Sequence, residues 1–217
     1  MAARAHALLA VDVVTFALVN RRLRVRVVKI RRGPFAGSWA FPGGLVGAGE
    51  SLEDVARREV NAAPAVDVHL EQLGTFGDPD RDPSARIVST AYLALTPDVA
   101  AIGASERYLA CDWQDALRLP PLAYDHGVMA AAAIERLRGK LGYTSIVRTL
   151  LPEEFTLSEL QLAYEVILDR ALDRRNFRKK LDATGMLVAS GKRRRGPHRP
   201  AELYRFRERR LVSVDVL

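Results

Sequence analysis

The sequence predicts an α/β fold: an α/β/α sandwich built on a mixed sheet, followed by a small domain of three helices and a two-stranded wing. Three observations carry that expectation. Strand-like runs alternate with two helical segments up to residue 142, and from Tyr143 the pattern changes to short helices and a final pair of strand-like runs. The charge also divides: residues 1–139 hold 16 Lys+Arg and 16 Asp+Glu, whereas residues 140–217 hold 17 and 10. The whole +7 excess therefore sits in the last third, as expected of a neutral module joined to one that meets a polyanion. The expected domains are 1–142 and 143–217.

Leu8 to Val19 is rich in Val, Ala, Leu and Phe, like a buried strand. Arg4 followed by Ala5 to Val11 faintly mimics a secretory leader, but Asp12 interrupts the apolar run, so a strand is the better reading. Asn20-Arg21-Arg22 reads as a turn. Leu23, Val25 and Val27 then alternate with Arg24 and Arg26, which predicts a second strand with one wet face. Arg31-Arg32-Gly33-Pro34 ends it. Trp39-Ala40-Phe41-Pro42-Gly43-Gly44 and a loop lead to Glu50. Ser51-Leu52-Glu53-Asp54 is a capping box opening a helix whose Leu52, Val55, Ala56 and Val60 face a core. That helix is expected to run through Ala62-Ala63 and stop at Pro64. Glu59 and positions 62 and 63 would then cluster on its surface.

Val66 to Phe76 reads as a strand pair or one bent strand, Gly77 to Pro83 as a polar loop, and Arg86 to Leu95 as a strand. Arg107 to Trp113 is a last short strand before a helix from Asp125 to about Leu141. His126, at that helix start, has no Ser or Cys nucleophile signature to serve and reads as structural. The single cysteine, Cys111, rules out an internal disulfide framework and suits a reducing cytosol. No uncharged apolar stretch is long enough to span a bilayer.

In the basic third, Ser145 to Leu151 is a first helix. Thr156-Leu157-Ser158-Glu159 is a second capping box, with Leu157, Leu160, Tyr164 and Ile167 or Leu168 on the apolar face. Asp173 caps a third helix, Arg174 to Thr184, and Gly185 fits its end. Phe177 and Leu181 point to the core and Arg174, Arg175, Arg178 and Lys179 elsewhere. Met186 to Ser190 is a strand, Gly191 to Pro200 a basic loop, and Glu202 to Phe206 the returning strand. This order is that of a winged helix-turn-helix, whose recognition helix lies in the major groove. The candidate base readers are Asn176 and the arginines beside it. Lys192, Arg193, Arg194, Arg195, His198 and Arg199 would lie on phosphates or in the minor groove, positioning the wing more than specifying sequence.

Gly44, Glu50, Arg58, Glu59 and Val60 stand at the spacing of the Nudix box, so the stretch resembles the signature of Nudix hydrolases. In those enzymes three carboxylates hold Mg²⁺, which neutralises phosphate charge and helps generate the attacking hydroxide. Ala62 and Ala63 stand in place of the two following glutamates and Ala65 in place of the closing glycine. The resemblance thus implies a degenerate site with no metal, no cofactor and no catalytic residues, only box remnants. With the C-terminal third, and above all the runs Asn176 to Leu181 and His198 to Phe206, nearly the whole chain resembles the Nudix-related transcriptional regulators (NrtR). That resemblance implies a homodimeric bacterial repressor of NAD biosynthesis or salvage genes, bound to an inverted-repeat operator in the cytoplasm, on the nucleoid. Its effector would be ADP-ribose or a related NAD metabolite, with Phe41, Gly43, Gly44, Asp78, Arg81 and Arg86 as ligand-binding candidates. The rival reading is a Nudix pyrophosphatase acting on ADP-ribose-like or capped-nucleotide substrates, with Asp78, Asp80 and Asp82 as substitute metal ligands. A nonspecific nucleoid binder is the third.

Overall fold

β1 (Leu8–Val19) is buried without a break from Ala10 to Ala17, because it lies between β2 (Arg22–Lys29) and β6 (Ile87–Leu95) with a layer on each face. The computed structural model describes residues 6–64, 66–195 and 200–216. Two compact units emerge. One holds the chain to Ala17 together with Arg24–Ala133; the other holds Leu18–Leu23 and the chain from Ile134 onward.

In the first unit β1 and β6 run parallel, Leu8 opposite Ile87 through Phe16 opposite Leu95. β5 (His69–Phe76) adds antiparallel to β6, with a bulge between Gln72 and Gly74 that bends it. β4 (Gly43–Leu45) adds antiparallel to β1, and β3 (Trp39–Ala40) and β7 (Ala110–Asp115) pair with β2. The sheet is therefore mixed, as expected. Helix α1 (Leu52–Val60) packs Val55, Ala56 and Val60 on Val11 and Val13. Asp12, one residue along, faces the other way and reaches His126, the first residue of α2 (His126–Tyr143). That alternation puts helices on both faces.

Several expectations fail in instructive ways. β2 has no wet face at Arg26, which is 2% exposed. Its guanidinium donates to the carbonyls of Val60 (2.6 Å), Glu59 (3.3 Å) and Gly103 (2.5 Å), closing the C-terminal end of α1. The helix expected to reach Ala63 ends at Val60 instead. Asn61 turns left-handed (φ 52°), Ala62 bridges Ile102, and the Ala63 amide donates to the Ala101 carbonyl. Positions 62 and 63 therefore leave the helix and do not share Glu59's face; Pro64 lies beyond the stop. β7 starts at Ala110 rather than Arg107, and Arg107 sits in the loop before it.

In the second unit, the segment after Ser145 is a 3₁₀ turn, Ile146–Leu150, not an α-helix; the side chain of Ser145 makes no cap and Pro152 follows closely. α3 (Leu157–Leu168) opens on the expected Thr156–Glu159 capping box and buries Leu160, Ala163, Tyr164 and Ile167. α4 (Arg174–Thr184) begins at Asp173, whose carboxylate accepts from the Asn176 amide at 2.8 Å, and ends at Gly185 (φ 61°). Phe177 meets Tyr164 edge-on at 5.2 Å. β8 (Leu187–Arg194) and β9 (Ala201–Phe206) form the wing. β8 runs on through Arg194, so Lys192, Arg193 and Arg194 lie in a strand rather than a loop, past an irregularity that includes Gly191 (φ 77°). Among the described residues no helix is long and apolar enough to cross a membrane.

Candidate ligand cleft and nucleic-acid interface

The Phe41-Pro42-Gly43-Gly44 run is pressed onto the sheet. A Cβ at Gly43 would collide with the Asp12 carboxylate and lie 2.9 Å from the Val11 carbonyl; one at Gly44 would lie 2.9 Å from Glu59 Oε1. Only glycine permits that approach. Behind the run, the Phe41 amide donates to His126 Nδ1 at 2.8 Å, and the two rings stack at 5.4 Å. His126 thus holds the run in place, the structural role expected of it.

A cleft of about 200 Å³ opens here, lined by Phe41, Gly43, Gly44 and Arg81 together with Asp12, Asp82, Tyr108, Tyr124 and His126. Arg81 is 7% exposed and binds Asp125 through Nε (3.0 Å) and Nη2 (2.8 Å), with Asp12 at 3.3 Å. Burial opposes its charge, but Asp125 and Asp12 outweigh it and raise its pKa. Burial likewise opposes ionisation of Asp12; His126, Ser89 and Arg81 more than offset it and hold the carboxyl below its ordinary range. Asp78 and Arg86 do not join the cleft lining. Asp78 caps the amide of Asp80, and exposed Arg86 donates to the carbonyls of Gly77 (2.9 Å) and Asp78 (3.2 Å), pinning the loop.

Beside the cleft lies Glu59, 4% exposed. Arg107 Nη1 donates to its Oε1 at 2.6 Å, Tyr108 Oη to Oε2 at 3.2 Å, and Arg58 Nε lies 3.4 Å from Oε1. Glu50 pairs with Arg58 and accepts from the Gly47 amide. Burial first, then Glu59, pushes the Tyr108 phenol up to about 12. Arg107, Tyr108, Asp12 and Tyr124 went unread in the sequence. The one signal that could have found any of them is Asp12, a charge inside an apolar run.

On the second unit, α4 exposes Arg174, Arg175, Asn176 and Lys179, and Lys180 with them. Arg178 is only half-exposed, and its buried Nε has no partner among the described residues. On the wing, Lys192 pairs with Glu154 at 3.0 Å, and Arg194 pairs with Glu159 and the Glu154 carbonyl. Arg193 and Arg195 are exposed. His198 and Arg199 lie outside the described residues.

Residues 8–132 match the NUDIX domain family, and residues 147–206 match the NrtR DNA-binding winged helix domain. The chain is 32% identical over 205 residues to the ADPR responsive transcriptional repressor NtrR of Acinetobacter baylyi, a match covering 92% of this chain and 82% of that protein. The chain belongs to the NrtR family. Shewanella oneidensis NrtR, solved in complex with a 27mer DNA, is 31% identical and superposes with a TM-score of 0.77, covering 92% of this chain and 93% of that one. The NUDIX domain of the same NrtR, solved with ADP ribose, is 32% identical and superposes with a TM-score of 0.51 over 61% of this chain and 89% of that one.

The Nudix fold implies a divalent cation held at the box helix. The residues of this NrtR member do not fit one. Glu59 is already neutralised by Arg107, alanines stand at 62 and 63, and among the described residues no three His, Cys, Asp or Glu side chains gather as a metal site. Mg²⁺ needs an octahedral shell of oxygens, and a guanidinium occupies Glu59, the buried carboxylate of the box helix.

Proposed function

We propose that this chain is a DNA-binding repressor of NAD biosynthesis or salvage genes, whose Nudix domain binds ADP-ribose or a related NAD metabolite without hydrolysing it. The observation that carries the reading is the Glu59–Arg107 pair: the box carboxylate faces a guanidinium, in a chain that also carries a winged helix. A site that lost its metal-binding carboxylates loses the means to activate water, and it also loses negative charge that would repel a diphosphate. ADP-ribose responsiveness and repression are what the Acinetobacter relative's name states, and the Shewanella structures hold DNA and ADP ribose.

The reading takes 1–142 as the sensor and 143–217 as the DNA-binding domain. Phe41, Gly43, Gly44 and Arg81 serve the ligand, and Asp78 and Arg86 shape the loop beside it. Arg174, Arg175, Asn176, Arg178 and Lys179 serve the operator, with Lys192, Arg193, Arg194, Arg195, His198 and Arg199 on the wing. A homodimer on an inverted repeat, in the cytoplasm on the nucleoid, completes the reading.

The test is fluorescence anisotropy on a duplex from upstream of an NAD-synthesis gene, against an unrelated duplex at matched salt. The expected result is sequence-preferring binding released by ADP-ribose. Equal, salt-fragile binding to both duplexes would overturn it. Mg²⁺-dependent release of AMP from ADP-ribose would restore the pyrophosphatase reading.

A further inference from the structure

We propose that Arg31, Arg32 and Arg107 form a phosphate-binding recess beside the cleft, which takes the diphosphate of the effector where a Nudix enzyme would use a metal ion. The proposal rests on the effector reading above and extends it to a second site. The cleft of about 200 Å³ is smaller than the ~300 to 1,000 Å³ of sites that enclose a drug-sized ligand, so a dinucleotide-sized molecule must extend beyond it. What adjoins it is a second recess of about 410 Å³, lined by Ile30, Arg31, Arg32, Arg107 and Tyr108. Ile30 and Tyr108 belong to both, so the two spaces share a wall.

The recess is strongly cationic and partly preorganised. Arg107 is fixed on three sides: Nη1 to Glu59 at 2.6 Å, Nη2 to the Gly43 carbonyl at 3.1 Å, and its guanidinium 5.6 Å from the Tyr108 ring. Its side chain is still 53% exposed, leaving further N–H donors free. Arg31 Nη2 is held by the Tyr108 carbonyl at 2.9 Å. Arg32 has no partner among the described residues. Of the charges facing this lining, Glu59 offsets one guanidinium and leaves an excess of positive charge. Like charges gathered this way repel until an anion enters, and guanidinium forks match phosphate oxygens two at a time. The Glu59–Arg107 pair thus sets a fixed guanidinium, with N–H donors to spare, on the carboxylate that a metal ion would need.

The experiment is isothermal titration calorimetry on the full chain in EDTA, with inorganic diphosphate and with ADP-ribose as separate probes. Both are expected to bind the unmodified chain. Arg32→Gln, an exposed position whose loss leaves no buried group unpaired, is expected to weaken both about tenfold. Arg107→Gln should weaken them further, provided its unfolding curve remains cooperative. Diphosphate that fails to bind, or that binds Arg32→Gln as tightly as the unmodified chain, overturns the recess. If ADP-ribose still binds in that case, the effector reading stands without it. Diphosphate binding with no ADP-ribose binding has the opposite meaning: the recess holds and the effector reading fails.

Discussion

Arg26 shows how much one buried side chain decides. It turns the end of α1 by taking the carbonyls of Val60 and Gly103, and so fixes where the Nudix helix stops. Replacing it with methionine keeps the bulk but leaves those acceptors without a donor. Arg26→Met is expected to lose about 2–4 kcal/mol in urea unfolding. A loss below ~1 kcal/mol would mean that Asn61 alone holds the helix end. Asp12 makes the same unit sensitive to acid. Its folded pKa lies below the ordinary value of 3.8, so its contribution is fully present above that value and is lost as pH falls through the folded one. Asp12→Asn should therefore be less stable at neutral pH yet show a shallower stability slope below about pH 4, read by denaturation at each pH. Neither role was legible in the sequence. An arginine alternating with Leu23, Val25 and Val27 looks the same whether water or a helix end receives it. Asp12 stood out as a charge, but its partners Arg81, Ser89 and His126 lie far along the chain, and only the fold brings them to it. Arg107 is the same case, named only by its contact with Glu59.

At the scale of elements, the DNA-facing half is built from local signals, and those read well. Asp173 and Gly185 bound α4 as expected, and the boxes at Ser51 and Thr156 open their helices, because a cap is made by residues three apart. The end of α1 and the length of β8 were not readable, because contacts distant in sequence set them. The wing also proves less free than its composition suggests: Lys192 is paired with Glu154 in the loop before α3, and Arg194 with Glu159 in the first turn of α3. Exposed pairs of this kind contribute little to stability, so DNA phosphates can compete for the cations. Glu154→Gln should tighten DNA binding and steepen the dependence of log affinity on log salt by ~0.9 for each further phosphate that the freed lysine neutralises. An unchanged slope in an anisotropy titration would mean that Lys192 does not reach the backbone. Asn176→Ala should behave differently. Its amide is capped by Asp173 while its side chain is exposed, so a contact to a base edge would cost about 1–3 kcal/mol on the preferred site and little on unrelated DNA. Equal losses on both duplexes would place it on phosphates instead.

For the whole molecule, the charge division becomes a statement about coupling. Residues 1–139 are balanced at 16 of each sign, and the +7 lies beyond them. Salt should therefore act on operator affinity chiefly through the second domain, and on ADP-ribose chiefly through the arginines around the cleft. The two affinities have separate electrostatic origins, so any dependence of one on the other must pass through the protein rather than through a shared field. Linkage then fixes its size in both directions: the factor by which ADP-ribose weakens operator binding equals the factor by which operator weakens ADP-ribose binding. A coupling of about 5- to 150-fold is the ordinary range. The expected outcome is two matching ratios, one from anisotropy with and without ADP-ribose, the other from calorimetry with and without saturating operator at the same salt. Unaltered ADP-ribose affinity on the operator would remove allosteric release as the mechanism. Direct competition for one surface obeys the same linkage, with mutual exclusion as its limit, and Arg32→Gln separates it from allosteric release. It lies in the first domain, so it should weaken the effector without touching operator affinity measured alone, and direct competition would change both.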